Sequence, residues 1–133
     1  VTISRGALPA PGRIVTAFGQ KMPNGTFSKG ISIITRAAAP VVAPVPGRIV
    51  LAGRFRGYGN LVILELSDRG HALISGMSRI SAQIGDEVLV GEPLGEMTPS
   101  TSAAPKLYFE LRKRGRPINP LSSDTARKSK VNG

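Results

Sequence analysis

Short apolar segments separated by glycine and proline are the feature that most constrains this sequence. Valine, isoleucine and leucine occur in brief runs, and 16 glycines and 11 prolines stand between and around them. Runs of this kind are typical of strands ended by turns and do not show the long apolar stripe of a helix. We therefore predict an all-β, single-domain antiparallel β-sandwich, because 133 residues suffice for one hydrophobic core.

Two segments carry the clearest strand patterns. Residues 61–66, LVILEL, are almost continuously apolar, which predicts a central strand buried on both faces. Residues 106–112, KLYFELR, alternate, so that Leu107, Phe109 and Leu111 are expected to face the core, with Tyr108 and Arg112 together on the other face. Other predicted strands lie at residues 12–18, 30–35, 47–53 and 71–75 and in a short apolar part of 84–95, with a hairpin turn at 54–60 and a turn at 114–117.

The sequence predicts a lead and a tail on either side of one domain. We expect a lead at residues 1–11, a domain at 12–120, and a basic, disordered tail at 121–133 that contains Arg127, Lys128 and Lys130. The first residues, VTISRGALPAPG, lack the basic and then apolar pattern of an export signal. Since the chain also begins at Val1, we expect a fragment or processed form whose signal preceded it.

Composition narrows the classes of partner and site. An excess of 18 Lys and Arg over 8 Asp and Glu gives a formal charge of +10, which predicts attraction to polyanions or to an acidic partner. Two explanations of that charge stay open. One is a solvated surface with a basic tail, and the other is a functional basic groove. Aromatic residues make up only 5%, which argues against stacking on nucleic-acid bases but not against binding an anionic glycan. The absence of cysteine excludes disulfides and thiolate metal sites.

Four segments occur in series between about Gly12 and Pro120: FSKGISI, GRIVLAGRFRGYGN, IGDEVLVGEPLGEM and KLYFELRKRGRPINP. In order and spacing they resemble the lysostaphin-like, or LytM, zinc murein endopeptidases. The resemblance implies the β-sandwich of that family, which is of the duplicated hybrid motif type.

Active members of that family bind zinc through a His-x-x-x-Asp motif and the second histidine of a His-x-His motif. The resemblance places these motifs, and a further Tyr-x-His segment, on Ser28 and Ser32, on Lys106 and Tyr108, and on Ile74 and Gly76. Hydroxyls and a phenol are poor zinc ligands, and an ammonium group repels a cation. We therefore expect no metal, no cofactor, no catalytic residue and no enzymatic activity.

One alternative is a residual or cryptic zinc endopeptidase that recruits ligands from outside the aligned positions. His71, the only histidine, counts against it, because one imidazole cannot hold a catalytic zinc ion. We expect His71 to be a surface or edge-strand residue. A second alternative is a peptidoglycan-binding module that uses the positive charge; it is compatible with the main reading.

Within the family, the sequence resembles the EnvC-type murein hydrolase activators, which lack the zinc ligands, carry KG after the first lost ligand, and have LYFE in place of LHFE. Both features are present here. The resemblance implies a periplasmic protein of a Gram-negative envelope that binds an N-acetylmuramoyl-L-alanine amidase, displaces its autoinhibitory helix, and so promotes septal peptidoglycan cleavage in cell division. We expect a monomer that binds no nucleic acid. Contact of an upstream region with a membrane division complex stays open.

The resemblance also implies which residues line the former active-site groove and bind the partner. The predicted set is Lys29, Ser32, Tyr58, Ile74, Lys106, Tyr108 and Arg112. Tyrosine rings provide contact area with a hydroxyl for orientation, and Lys and Arg donate charge-assisted hydrogen bonds. For Tyr58 a purely structural role in the turn is the alternative, and Ser32 is the weakest member. Ser28 and the segment ALISGMS depart from the better-known activators, so the identity of the amidase stays open.

Overall fold

The computed structural model describes residues 8–121, and these residues fold into strands and connecting turns. The strands are β1 (Arg13–Thr16), β2 (Ile31–Ile34), β3 (Pro40–Val42), β4 (Gly47–Phe55), β5 (Gly59–Glu65), β6 (His71–Ser75), β7 (Arg79–Ile80), β8 (Glu87–Val88), β9 (Pro93–Glu96), β10 (Lys106–Lys113) and β11 (Arg116–Ile118). Among residues 8–121 no helix is long and apolar enough to cross a membrane. The predicted all-β class is confirmed.

Two antiparallel sheets make up the fold. The larger has the order β1-β2-β10-β6-β5-β4-β8, with β11 pairing with the end of β10, and the smaller has the order β3-β9-β7. The core joins residues of both sheets, including Val41 and Leu94 of the smaller sheet and Ile33, Leu64 and Phe109 of the larger, each at most 2% exposed. The second face of the larger sheet is thereby left free to carry a site.

Strand β10 lies near the middle of the larger sheet, between β2 and β6. Leu107, Phe109 and Leu111 are buried, as their alternation predicts. The opposite face of β10 carries Tyr108, Glu110 and Arg112. The predicted central strand at 61–66 is also observed, since β5 lies between β4 and β6.

Short strands account for most differences from the predicted elements. The one strand predicted within residues 84–95 is two strands, β8 and β9. β3, β7 and β11 were not predicted, and the predicted turn at 114–117 in fact contains the start of β11. Each of these strands has two or three residues, too few to show a period of two. Only residues 8–11 of the predicted lead and residue 121 of the predicted tail are described, so the remainder of both lies outside the described residues.

Candidate functional site

A groove of about 620 Å³ lies on the face of the larger sheet that is turned away from the core. Its floor is formed by β10 and the end of β6. One wall is the loop that precedes β2, and the other is the tip of the β4–β5 hairpin. The lining residues are Met22, Thr26, Phe27, Ser28, Lys29, Gly57, Tyr58, Ser75, Tyr108, Glu110 and Arg112.

The loop wall is held in shape by its own hydrogen bonds. The backbone N–H of Met22 donates to the carbonyl of Thr26 at 2.7 Å, and the side chain of Asn24 accepts from both the amide and the hydroxyl of Thr26. Gly25 has a φ of 89°, a left-handed conformation that suits glycine at this turn. The wall is therefore a hydrogen-bonded turn, and Phe27, which follows it, has 61% of its surface exposed.

The hairpin wall places Tyr58 at the groove. The backbone N–H of Tyr58 donates to the carbonyl of Phe55 at 2.9 Å, and glycines with positive φ flank it on both sides. Its ring centroid lies 6.3 Å from that of Phe55, in a tilted arrangement. The residue thus closes the turn with its backbone and also lines the groove with its side chain.

Tyr108 lies at the centre of the floor. Its register partners are Ser32 on β2 and Ser75 on β6, so two small side chains flank the ring across the sheet. Gly30 lies under the ring: a methyl carbon added there would be 2.9 Å from Cζ and Oη of Tyr108. Small neighbours therefore provide the space that this tyrosine occupies.

A buried carboxylate joins the two functional side chains of β10. Glu110 is 1% exposed, although it carries a carboxylate. Its Oε1 accepts a hydrogen bond of 2.6 Å from the Tyr108 hydroxyl, and its Oε2 accepts from Nε of Arg112. The side chain of Arg112 remains 33% exposed toward the groove. Charge-assisted hydrogen bonds of this kind are stronger than neutral ones.

The environment fixes the protonation of both partners of Glu110. Burial, and after it the hydrogen bond to Glu110, raises the pKa of the Tyr108 phenol well above its ordinary range. The hydrogen bond to Glu110 also raises the pKa of Arg112. At neutral pH the groove therefore contains a neutral phenol and a guanidinium cation.

Four of the predicted groove residues are brought together: Lys29, Tyr58, Tyr108 and Arg112 all line the groove. Ser32 and Lys106 occupy the same face of the sheet but are not among the lining residues. Ser28 lines it, and its hydroxyl donates to the carbonyl of Gly30 at 2.7 Å.

The prediction that Ile74 lines the groove is wrong. Ile74 is 0% exposed and pairs with Phe109, which places it in the core between the sheets. Side chains alternate between the two faces along β6, so Ser75, and not Ile74, lies beside Tyr108. His71 is half-buried at the start of β6, an interior strand, opposite Arg112 and Glu65, so it is not an edge-strand residue.

Sequence reasoning missed six of the lining residues: Met22, Thr26, Phe27, Gly57, Ser75 and Glu110. Glu110 and Phe27 matter most for the chemistry of the site. Alternation along β10 puts Glu110 on the same face as Tyr108 and Arg112, but nothing in the sequence predicts its burial or its two hydrogen bonds. The available signal was that Glu110 lies two residues from Tyr108 and two from Arg112, a spacing that puts all three side chains on one face of a strand. Phe27 was part of a recognised segment, yet nothing in the sequence showed that its ring would be exposed on the ridge between the groove and a second hollow of about 580 Å³.

The residues that the family resemblance puts at zinc-ligand positions do not fit a zinc ion. Ser28 uses its hydroxyl within its own turn, and the phenol of Tyr108 is kept protonated. Both oxygens of Glu110, the one carboxylate among the lining residues, are engaged by other side chains. Within the described part of the chain no three His, Cys, Asp or Glu residues cluster as a metal site would require.

The sequence profile described as Peptidase family M23 matches residues 26–120. The chain belongs to peptidase family M23. This confirms the predicted family, and the matched region contains every residue that lines the groove except Met22.

Several M23 relatives are proteins named for roles in the bacterial envelope. The chain is 35% identical over 116 residues to the lipoprotein NlpD/LppB homolog of Pseudomonas aeruginosa, covering 86% of this chain and 38% of that protein. It is 30% identical to the murein hydrolase activator NlpD of Escherichia coli, covering 90% and 31%. It is 28% identical to the murein hydrolase activator EnvC of E. coli, covering 84% and 27%. The chain thus spans between 27% and 38% of the length of these relatives.

Solved M23 structures share the fold. A mutant of the catalytic domain of the prophage-encoded M23 protein EnpA from Enterococcus faecalis aligns with a TM-score of 0.69 at 32% identity, covering 84% of this chain and 91% of that one. The catalytic domain of lysostaphin from Staphylococcus simulans aligns with a TM-score of 0.70 at 24% identity, covering 83% and 90%. The predicted lysostaphin-like architecture is confirmed.

Proposed function

We propose that residues 12–120 form a non-catalytic M23 domain that activates a murein hydrolase by binding it. The groove carries the proposal, because a Tyr108–Glu110–Arg112 network lines it and the family resemblance puts Tyr108 at a zinc-ligand position of the M23 enzymes. The relatives named murein hydrolase activators support it. We propose an envelope location, specifically the periplasm, and the same names and the lipoprotein relative support it.

The partner we propose is an N-acetylmuramoyl-L-alanine amidase that cleaves septal peptidoglycan during cell division. The groove suits a protein segment because aromatic rings stand on both walls and a cation is held in the floor. Aromatic residues and arginine are the side chains that most often dominate protein interfaces. By resemblance to the EnvC-type activators, engagement of the groove displaces an autoinhibitory helix from the amidase active site.

Calorimetric titration of this domain into the amidases of the bacterium that encodes it tests the proposal. We expect one amidase to bind, and binding to be lost in a Tyr108→Ala, Arg112→Ala double variant. The matched control is Arg48→Ala, which removes an exposed cation from the opposite end of the larger sheet. Binding that survives the double variant, or that disappears equally in the control, would contradict a groove-based mechanism.

Phe27 is predicted to bind the partner without stabilising the fold. Its ring is 61% exposed, so a Phe27→Ala variant should change the free energy of unfolding by no more than about 0.5 kcal/mol. Partner affinity should fall roughly tenfold, because truncation of an interface aromatic typically costs more than 1 kcal/mol. Paired denaturation and binding measurements check both statements.

Leu89→Ala is the matched control for Phe27. Leu89 is 68% exposed and lines a different hollow, formed around Arg48 and Glu65, that shares no residue with the groove. The control should leave both stability and affinity unchanged. Equal losses of affinity in the two variants would show that exposed apolar surface acts nonspecifically.

A further inference from the structure

Glu110 is the one carboxylate among the residues that line the groove, and it is turned inward. Its side chain is 2% exposed, so a partner cannot reach it directly. Burying a carboxylate is costly unless hydrogen bonds and an opposite charge compensate for the lost water. Tyr108 and Arg112 provide that compensation, and each uses one of the two carboxylate oxygens.

These bonds determine what the groove offers to a partner. A phenol has one proton, and that of Tyr108 is donated to Glu110, so only the lone pairs of its oxygen remain available. Arg112 donates through Nε, which leaves its two terminal nitrogens free of Glu110. The groove therefore presents an acceptor at Tyr108 and a fork of donors at Arg112.

Orientation is the second consequence. A free arginine side chain loses much rotamer freedom when it binds, whereas one already held by a carboxylate loses less. The charges of the groove also favour an anionic ligand. Lys29 and Arg112 contribute two positive charges against the single negative charge of Glu110, and Lys29 forms no ion pair with any residue between 8 and 121. One unit of positive charge is left for a ligand.

We propose that Glu110 is a positioning residue, which orients Tyr108 and Arg112 so that the groove accepts a side-chain carboxylate of the partner. The inference rests on the proposed function, in which the groove is the partner-binding site. A carboxylate matches both the geometry of a guanidinium fork and the excess charge. The partner group that faces Tyr108 is a hydrogen-bond donor, such as a backbone amide.

A Glu110→Gln variant tests the positioning role. Glutamine keeps the shape of Glu110, but it removes the charge and cannot accept at both positions. We expect a folded protein whose affinity for the amidase is at least tenfold lower. The matched control is Glu96→Gln, which breaks the exposed ion pair of Glu96 with Arg79 and should bind normally.

Tyrosine absorbance supplies a readout that a purely structural role would not move. The chain has two tyrosines and no tryptophan, so a Tyr58→Phe background reports Tyr108 alone. Because Glu110 contributes to the raised pKa of Tyr108, Glu110→Gln in this background should lower that pKa. Normal amidase binding in the folded variant would overturn the positioning role.

The ligand class is tested on the partner by a double-mutant cycle. Acidic residues of the bound amidase are replaced singly by their amides, and each change is combined with Arg112→Gln. We expect one acidic residue to couple strongly to Arg112, and no coupling at any acidic position would overturn the carboxylate assignment.

These experiments distinguish failure of the proposed function from failure of the positioning role of Glu110. If the unaltered domain binds no amidase, the proposed function fails. If it binds and Glu110→Gln binds equally well, only the positioning role fails. Should Glu110→Gln not fold, the Nε–H signal of Arg112 in the unaltered protein, identified by its loss in Arg112→Lys, decides the matter: slow exchange with water supports the bond to Glu110, and fast exchange refutes it.

Discussion

A Gly30→Ala variant is expected to lose about 3 kcal/mol of unfolding free energy, since overpacking a site with no room typically costs ~1–3 kcal/mol or more. The added methyl carbon would lie 2.4 Å from the carbonyl oxygen of Phe109 and 2.9 Å from Cζ and Oη of Tyr108. The carbonyl belongs to the backbone of β10 and cannot rotate away. The Tyr108 ring can move only by giving up its hydrogen bond to Glu110.

Gly53→Ala is the matched control for that change. Gly53 lies within β4, has no atom within 4 Å of an added methyl carbon, and does not have a positive φ. Alanine there should be neutral or stabilising by up to about 1 kcal/mol. Urea denaturation of the two variants measures both effects. A cost for Gly30→Ala below about 1 kcal/mol, the typical effect of a point substitution, would show that the ring and strand can relax.

Arg112→Ala is expected to lower the unfolding free energy by about 2–3 kcal/mol and to abolish partner activation. Removing one member of a buried ion pair typically costs ~3–5 kcal/mol, because the other charge is left uncompensated. The loss should be smaller here, since Arg112 is 33% exposed and water can reach Glu110 after truncation. Denaturation and an activation assay on the same variant give the two numbers.

The control for Arg112 is Arg48→Ala. Arg48 pairs with Glu65 at 3.6 Å, but both side chains are exposed, so the change should stay within about 0.5 kcal/mol. A second variant separates stability from function. Replacing the pair together, Glu110→Leu with Arg112→Met, should recover stability, since no buried charge remains, and should leave activation absent. Recovered activation would contradict the role of Arg112 in binding.

The strands with a clear pattern could be predicted from the sequence. The alternation of Leu107, Phe109 and Leu111 identified β10 and its core face, and the apolar run at 61–66 identified β5. The strands β3, β7 and β11 are too short to show any period, and they exist because neighbouring strands pair with them. Long-range pairing of this kind leaves no local signal.

The family resemblance identified several residues of the candidate site, but residues whose position depends on tertiary packing could not be predicted. Lys29, Tyr58, Tyr108 and Arg112 line the groove as expected. Ile74 does not, because the register of β6 with β10 turns it into the core. The burial of Glu110 depends on how the walls close over β10, which no sequence pattern records.

The chemistry of the groove is compatible with the proposed function, in which the M23 fold serves without a metal ion. An enzyme of this kind needs a dication to activate water. Here the floor holds a guanidinium cation whose charge is partly balanced by a buried carboxylate. Such a site cannot activate water as zinc does, but it suits an acidic group, so in the proposed function the fold keeps its cleft and uses it for binding.

The most direct test of the account is the release of dye from labelled peptidoglycan by this domain alone, by the amidase alone, and by the two together. We predict little release by either protein alone and strong release by the mixture, lost with the Tyr108→Ala, Arg112→Ala double variant. Release by the domain alone that a metal chelator stops would contradict the account, because it would show a zinc endopeptidase.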